Sequence, residues 1–232
     1  MADVNYLKTN IENWKKLTEE PVNAGIIPVL QENGNNFELT LDATLKAAER
    51  LHIYVTLDLS QKIQFYVIPH SLDTATNKSI YTSGLYPIPL SSQNQAVRPQ
   101  ENNILITWID NWCNYDLRDQ WLSKITFIPQ VLVIHTADFI VNELHKCYFA
   151  LRPNSNPTIP SKYRMDLVIQ NTVTGAFLNP TVQLTKVEGA IADSSFEPQF
   201  ADMARPVPPF GQEGHVSTDE SNFGVLLQSG TA

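Results

Sequence analysis

The chain has 232 residues, a formal net charge of −8, a mean hydropathy of −0.18 and only 17% charged residues. Its few Lys and Arg do not cluster, which argues against nucleic acid, because phosphate backbones are bound through such clusters. No apolar run is long enough to span a membrane, the N-terminus does not resemble a signal peptide, and two cysteines favour a reducing cytoplasm, so we expect a cytoplasmic chain without a membrane partner.

Hydrophobic periodicity in the first third of the chain predicts two helices and a hairpin. Apolar residues recur at three- and four-residue steps over 3–20, which indicates an amphipathic helix. Alternation over 37–41 predicts a strand, and Asp42 is placed to cap a helix over 43–51. The β-branched and aromatic segments 52–59 and 62–68 predict a hairpin.

Two segments of the first half are expected to lack regular structure. The first follows the opening helix and contains Gly25, Pro28 and an Asn-Gly turn signal at Asn33-Gly34. The second is a long excursion over 69–103, which carries several prolines and a polar stretch.

The second half predicts alternating helices and strands. Helices are expected over 104–124 and 137–146. Strands are expected over 127–134 and 147–151, and a second hairpin over 163–170 and 177–187. The predicted fold class is therefore α+β, with mainly antiparallel hairpins, three or four helices and an extended C-terminal arm.

Charge divides the chain into a body, residues 1–187, and an arm, residues 188–232. The arm carries seven carboxylates against the single base Arg205, so it holds six of the eight net negative charges. It also holds five of the nine glycines and the Pro206-Val207-Pro208-Pro209 run. This composition predicts an extended acidic segment rather than a second folded domain.

Glycine spacing excludes the common phosphate-binding and hydrolase motifs. The glycines of the body are isolated, whereas a P-loop, a dinucleotide fingerprint and a G-x-S-x-G elbow each need several within a few residues. We therefore expect no cofactor and no catalytic residue of a familiar type, and the chain is interpreted as leaning away from enzymes.

Metal and thiol chemistry are the weaker alternatives. An extended backbone would place His145 and Cys147 on one face, where Cys113 or Asp138 could complete a zinc site. Cys147 begins an apolar run, however, which is typical of a structural cysteine, so no metal is expected. A hydrolase of unfamiliar type would use His135, Asp138 and Cys147.

An aromatic and acidic helix face is the predicted ligand-binding site. At 100° per residue, Trp108, Trp112 and Tyr115 share a face with Asp119 and, at its edge, Asp116. Rings beside carboxylates suit carbohydrate or another small polar ligand, whereas packing of the same rings in the core is the simpler interpretation.

The arm is the predicted partner-binding segment. It carries apolar anchors spaced through Pro, Gly and acidic residues, which a merely solvated tail would not need. They are Phe196, Phe200, Met203, Val207, Phe210, Phe223 and Leu226.

The leading hypothesis is a non-enzymatic structural or interaction protein. Its arm would pack on a neighbouring subunit of an assembly, with a protein partner or further copies of the chain, although wrapping of its own body is the open alternative. The 19 Asn and 13 Gln replace charge and are expected to form a surface that is cheap to desolvate.

Overall fold

The computed structural model describes residues 4–19, 25–33, 35–73, 86–91, 104–123, 131–137, 139–153, 163–177 and 205–207. Within these stretches the chain forms five α-helices, one 3-10 turn and eight β-strands, so the predicted α+β class is confirmed. None of the helices in these stretches is both long and apolar enough to cross a bilayer.

Two of the described helices begin at a capping side chain. Asp42 and Asn114 each accept a hydrogen bond from a backbone N–H three residues later, at 2.8 and 3.1 Å, and so cap the helices that follow them. The helices are α1 (Val4–Glu19), α2 (Ile26–Glu32), α3 (Ala43–Ala47), α4 (Ile104–Cys113) and α5 (Tyr115–Leu122), with the 3-10 turn at His70–Leu72.

The strands form one antiparallel sheet in which sequence neighbours are often separated. Its order is β7-β6-β1-β4-β3-β2-β5-β8, and every described pairing is antiparallel. The strands are β1 (Asn36–Thr40), β2 (Arg50–Leu57), β3 (Ile63–Pro69), β4 (Tyr86–Ser91), β5 (Val131–His135), β6 (Leu144–Pro153), β7 (Tyr163–Asn171) and β8 (Arg205–Val207).

The sheet curls around the main apolar core. Alternate residues of β1, β2, β3, β5, β6 and β7 all contribute to one cluster, which requires the strands to turn the same face inward. Phe37, Phe65 and Phe149 meet at its centre, with ring centroids 4.5 to 6.0 Å apart. At the two ends of the order, Cα atoms of β7 and β8 come within 8 Å of each other.

Two helices cover the outer face of the sheet. Leu7 and Ile11 of α1 pack on Tyr54, Tyr66 and Val131 of β2, β3 and β5, as the predicted amphipathic stripe requires. Because α1 covers the outer face of β2 and the core lies beneath it, Leu51 to Leu57 are buried without alternation.

The second outer layer is formed by α4. Leu105, Trp108 and Ile109 pack on Tyr148 and Val168 of β6 and β7. The predicted helix 104–124 is thus two helices, since the Asn114 cap starts α5 in a new direction.

Two elements form where a break and a loop are predicted. Helix α2 contains Pro28, but a proline in the first turn sacrifices no intrahelical N–H donor. Strand β4 contains Pro87 and Pro89, which pair with β3, whereas its pairing with β1 involves Leu90 and Ser91. The prolines therefore lie where β4 has only one ladder partner, a position at which a missing N–H is tolerated.

The predicted helix 137–146 is wrong. Residues 139–143 are irregular apart from a turn at 141–142, where Asn142 takes a left-handed φ of 61°, and strand β6 has begun by Leu144. Pairing of β6 with β1 on one side and β7 on the other outweighs the helix propensity of this segment.

The second predicted hairpin is described only around its turn. Strand β7 pairs with β6, and Gln170 at its end forms an isolated antiparallel bridge to Phe177, while residues 178–187 lie outside the described residues. The first hairpin, β2 with β3 through a turn at Asp58–Gln61, is confirmed.

Candidate functional site

The described part of the arm adds a strand to the body. Backbone pairing joins Val131, Leu132 and Val133 of β5 to residues 207, 206 and 205 of β8. Without β8, this side of β5 would present an open ladder of N–H and C=O groups. The arm therefore contacts the body through main-chain hydrogen bonding at the sheet edge.

Of the predicted anchors, Val207 lies in β8, where it pairs with Val131. The other six lie outside the described residues. They are Phe196, Phe200, Met203, Phe210, Phe223 and Leu226.

The predicted aromatic face is divided between the core and the surface. Trp108 and Trp112 are 5% and 3% exposed, and they belong to different apolar clusters on either side of the sheet wall. Tyr115 is 46% exposed, and Asp116 beside it is also exposed. The two indole rings thus provide packing area, and Tyr115 is the exposed ring of the three.

A residue that the sequence analysis did not single out lies close to both Trp112 and Tyr115. Arg118 of α5 is 2% exposed, and its Cζ lies 5.6 Å from the Trp112 ring centroid and 4.7 Å from that of Tyr115. Burial lowers its pKa, which the negative charge of Asp119 partly offsets. Nε and Nη2 of Arg118 and Oδ1 of Asp119 are buried without a hydrogen-bond partner.

The thiol and metal candidates are structural in their surroundings. Cys147 is 0% exposed within the main core, and burial raises the pKa of its thiol, which disfavours a nucleophilic thiolate. His145 is buried against Phe139 and its Nδ1 lies 3.0 Å from the Glu143 carbonyl oxygen. Among the described residues, no group of three His, Cys, Asp or Glu side chains is arranged to hold a metal.

The proposed hydrolase set is not brought together by described contacts. His135 pairs with Arg50 in the β2–β5 ladder, and the side chain of Asp138 lies outside the described residues. Cys147 instead pairs with Phe37 and Ile169 in the sheet.

A buried polar chain that sequence reasoning missed links β2 to the 3-10 turn. Oδ2 of Asp73 lies 2.7 Å from His52 Nδ1 and accepts a hydrogen bond from Tyr54 Oη, also at 2.7 Å. His52 Nε2 lies 3.0 Å from Nδ1 of His70, the outermost member. With Asp73 as acceptor, His52 carries its proton on Nδ1 and receives a hydrogen bond from His70.

The inner end of this chain of polar groups is almost completely buried from solvent. His52 and Asp73 are 1% and 0% exposed at the side chain, while His70 is half-buried. Burial and the neighbouring His52 and Arg50 lower the pKa of His70, whereas Asp73 and Glu49 raise it. The arrangement holds an oriented, neutral imidazole near the surface and ties two elements together.

Buried amides show a second use of the unusual composition. Asn33 donates to the carbonyl oxygens of Val29 and Gln61 and accepts from the Ile63 N–H at 2.8 Å, which joins α2 to the β2–β3 hairpin. Side chains of this kind are internal connectors rather than desolvated surface. The other buried amides of the described residues are Asn10, Asn35, Asn36, Gln170 and Asn171.

A comparison with protein-family models, with curated proteins and with solved structures found no match to this chain.

Proposed function

We propose that this chain is a non-enzymatic structural or interaction protein, made in the cytoplasm, whose C-terminal arm packs on a neighbouring copy in an assembly. The observation that supports this proposal is the pairing of arm residues 205–207 with the edge strand β5. The arm thus contains a segment able to complete a sheet.

Main-chain pairing makes the arm transferable. An added strand gains its affinity from backbone hydrogen bonds, which any copy of β5 offers equally. The segment between Phe177 and β8, residues 178–204, has 27 residues and can extend to roughly 90 Å at about 3.3 Å per residue. Its length therefore permits β8 to reach β5 of its own body or of a second copy.

Proline supports the role of β8 as a terminal strand. Pro206 lies opposite Leu132 and has no N–H to offer a further strand. A strand with proline at this position covers the edge of β5 but does not offer a full row of backbone donors to a further strand. This suits a finite assembly rather than an open fibre.

The charge distribution favours protein contacts over nucleic acid or membrane. The arm holds six of the eight net negative charges and would be repelled by phosphate-bearing surfaces. Low overall charge leaves the body, with a net charge of −2, able to approach its own copies without strong repulsion.

Molar-mass measurement by light scattering on the full chain tests this proposal. We expect a mass above the 26.1 kDa of one chain. The variant Val207→Pro removes one of the two backbone N–H groups of β8 and should shift the distribution toward one chain. The matched control, Val216→Pro, makes the same change elsewhere in the arm and should leave the mass unaltered.

Two results would overturn the proposal. One is a full chain that remains at 26.1 kDa at every concentration. The other is a larger mass that Val207→Pro leaves unchanged, because assembly would then not depend on β8.

A further inference from the structure

We propose that Arg118 is a carboxylate-binding residue, with Trp112 and Tyr115 forming the aromatic sides of its site. The inference rests on described residues of α4 and α5 and does not require the arm to cross to another copy.

The guanidinium presents an unused hydrogen-bonding edge. Nε–H and one N–H of Nη2 lie on the same side of the planar guanidinium, parallel to each other, and both atoms are buried without a partner. A carboxylate accepts from these two groups at once, through its two oxygens. The orphaned atoms are thus the pair that a bidentate carboxylate needs.

Burial makes the unpaired charge costly. Arg118 is 2% exposed, and no carboxylate oxygen of the described residues lies within 4.0 Å of its guanidinium in an ion pair. The two rings attract the cation through their faces but accept no hydrogen bond from its edge. A bound carboxylate accepts the hydrogen bonds from the guanidinium edge that the rings do not accept.

The surroundings select the kind of anion. Asp119 is close enough to act on the Arg118 charge, and its own Oδ1 is buried without a partner. A dianionic phosphate would be repelled by this carboxylate more strongly than a singly charged carboxylate. The planar guanidinium of Arg118, which lies beside two aromatic rings, likewise fits a planar anion such as a carboxylate.

The carboxylate can come from the arm or from a separate molecule. Seven arm carboxylates lie on the same chain, at high effective concentration, and are Glu188, Asp193, Glu197, Asp202, Glu213, Asp219 and Glu220. A small monocarboxylate offers the same group from outside.

Sodium acetate is the probe, used on the full chain with acetamide and sodium chloride at matched concentration and ionic strength. Tryptophan fluorescence reports on Trp112 beside the guanidinium, and the melting temperature reports binding to the folded state. We expect acetate, but neither control, to change both. Arg118→Lys keeps the charge but loses the fork, and should weaken the acetate response at least tenfold.

Two further variants keep the test independent of folding defects at Arg118. Asp119→Asn removes the repelling charge and should tighten acetate binding about threefold, from a Coulomb interaction over ~7 Å in water. Arg152→Lys alters the other arginine that stacks on a helix tryptophan, Trp108 at 5.5 Å, and should leave the response unchanged.

Changing all seven arm carboxylates to amides in the full chain identifies the source. If the arm fills the site, this variant responds to acetate at several-fold lower concentration than the original chain. If a separate molecule does, the two chains respond alike. The proposal is overturned if acetate acts no differently from chloride and acetamide in both chains, or if Arg118→Lys responds as the original does.

Discussion

At the residue scale, the Asp73 carboxylate is the best-buried charge-bearing acceptor that the described residues contain. One of its oxygens is held by both His52 and Tyr54, from the neighbouring strand β2. Since β2 and the 3-10 turn share this carboxylate, the network fixes the exit of β3 relative to the sheet. Hydrogen bonds to a charged acceptor contribute more than neutral ones.

Asp73→Asn is therefore expected to lower the free energy of unfolding by about 2 kcal/mol, because the shared acceptor loses its charge. Tyr54→Phe removes one hydrogen bond and should cost about 1 kcal/mol. Urea denaturation of both variants measures the difference. Equal losses in the two would show that the contact with His52 does not stabilise the fold.

Acidification below pH 6.5 is expected to destabilise the protein through His70 and His145. Burial is the main cause that lowers the pKa of both imidazoles in the folded chain. At pH values between that lowered pKa and the ordinary value of 6.5 in the unfolded chain, the unfolded state binds more protons. The free energy of unfolding therefore decreases as the pH is lowered. At pH values below the pKa of the folded chain, these imidazoles are protonated in both states. They then no longer change the free energy of unfolding with pH.

Denaturation midpoints at pH 7 and pH 5.5 test this pH dependence. The double variant His70→Asn, His145→Asn should show a smaller loss of stability over that interval than the original chain. An identical loss would assign the effect to other titrating groups.

The same residues show why sequence alone predicted little of the site. His52 and Asp73 lie 21 positions apart on different elements, and no local spacing signals their contact. Helical periodicity predicted a common face for Trp108 and Trp112, but both rings are buried by the sheet, and such burial is a tertiary property that periodicity does not report. The sequence does not mark Arg118 as a site residue, because a lone arginine on a short helix belongs to no recognisable binding motif.

At the element scale, side-chain caps decide where α3 and α5 begin. Asn114 separates α4 from α5, and Asp42 starts α3. Of the two, the Asp42 cap was predicted from the sequence, whereas Asn114 divides what periodicity predicted as one continuous helix.

Asn114→Ala and Asp42→Ala should each lower the free energy of unfolding by about 1 kcal/mol, since each loses the acceptor of a backbone N–H. Gln120→Ala, an exposed position within α5, serves as the control and should change stability by less than about 0.5 kcal/mol. Chemical denaturation measures all three. A cap variant that matches the control would mean that water replaces the lost side chain.

Strands were predictable where pairing is local and not where it is distant. The β2–β3 hairpin follows from two β-rich runs and a short turn. By contrast, β4 and the start of β6 are strands because β3 and β1 pair with them, against the local signals of prolines and helix formers.

At the scale of the whole molecule, charge predicts a division into body and arm, whereas it does not predict how the arm is attached. Composition predicted an extended acidic segment with anchors. It gave no indication that residues 205–207, inside a proline-rich run, pair with β5. Edge pairing depends on which strand the body leaves open, and that is set by the complete sheet order.

If β8 is exchanged between copies, thermal stability should depend on protein concentration. Association favours the folded state by mass action, so the melting temperature should rise over a hundredfold increase in chain concentration. Scanning calorimetry of the original chain and of Val207→Pro measures this, and the rise should be smaller in the variant. A melting temperature independent of concentration in both would contradict exchange.

The position of β1 has a consequence for biosynthesis. Phe37, at the centre of the core, pairs with Cys147, 110 residues further along the chain. During synthesis on the ribosome, the apolar inner face of the completed β2–β3 hairpin therefore stays exposed until β6 has left the exit tunnel. Nascent chains in that interval are exposed to aggregation, and we expect chaperone engagement to peak there and to fall once β6 emerges.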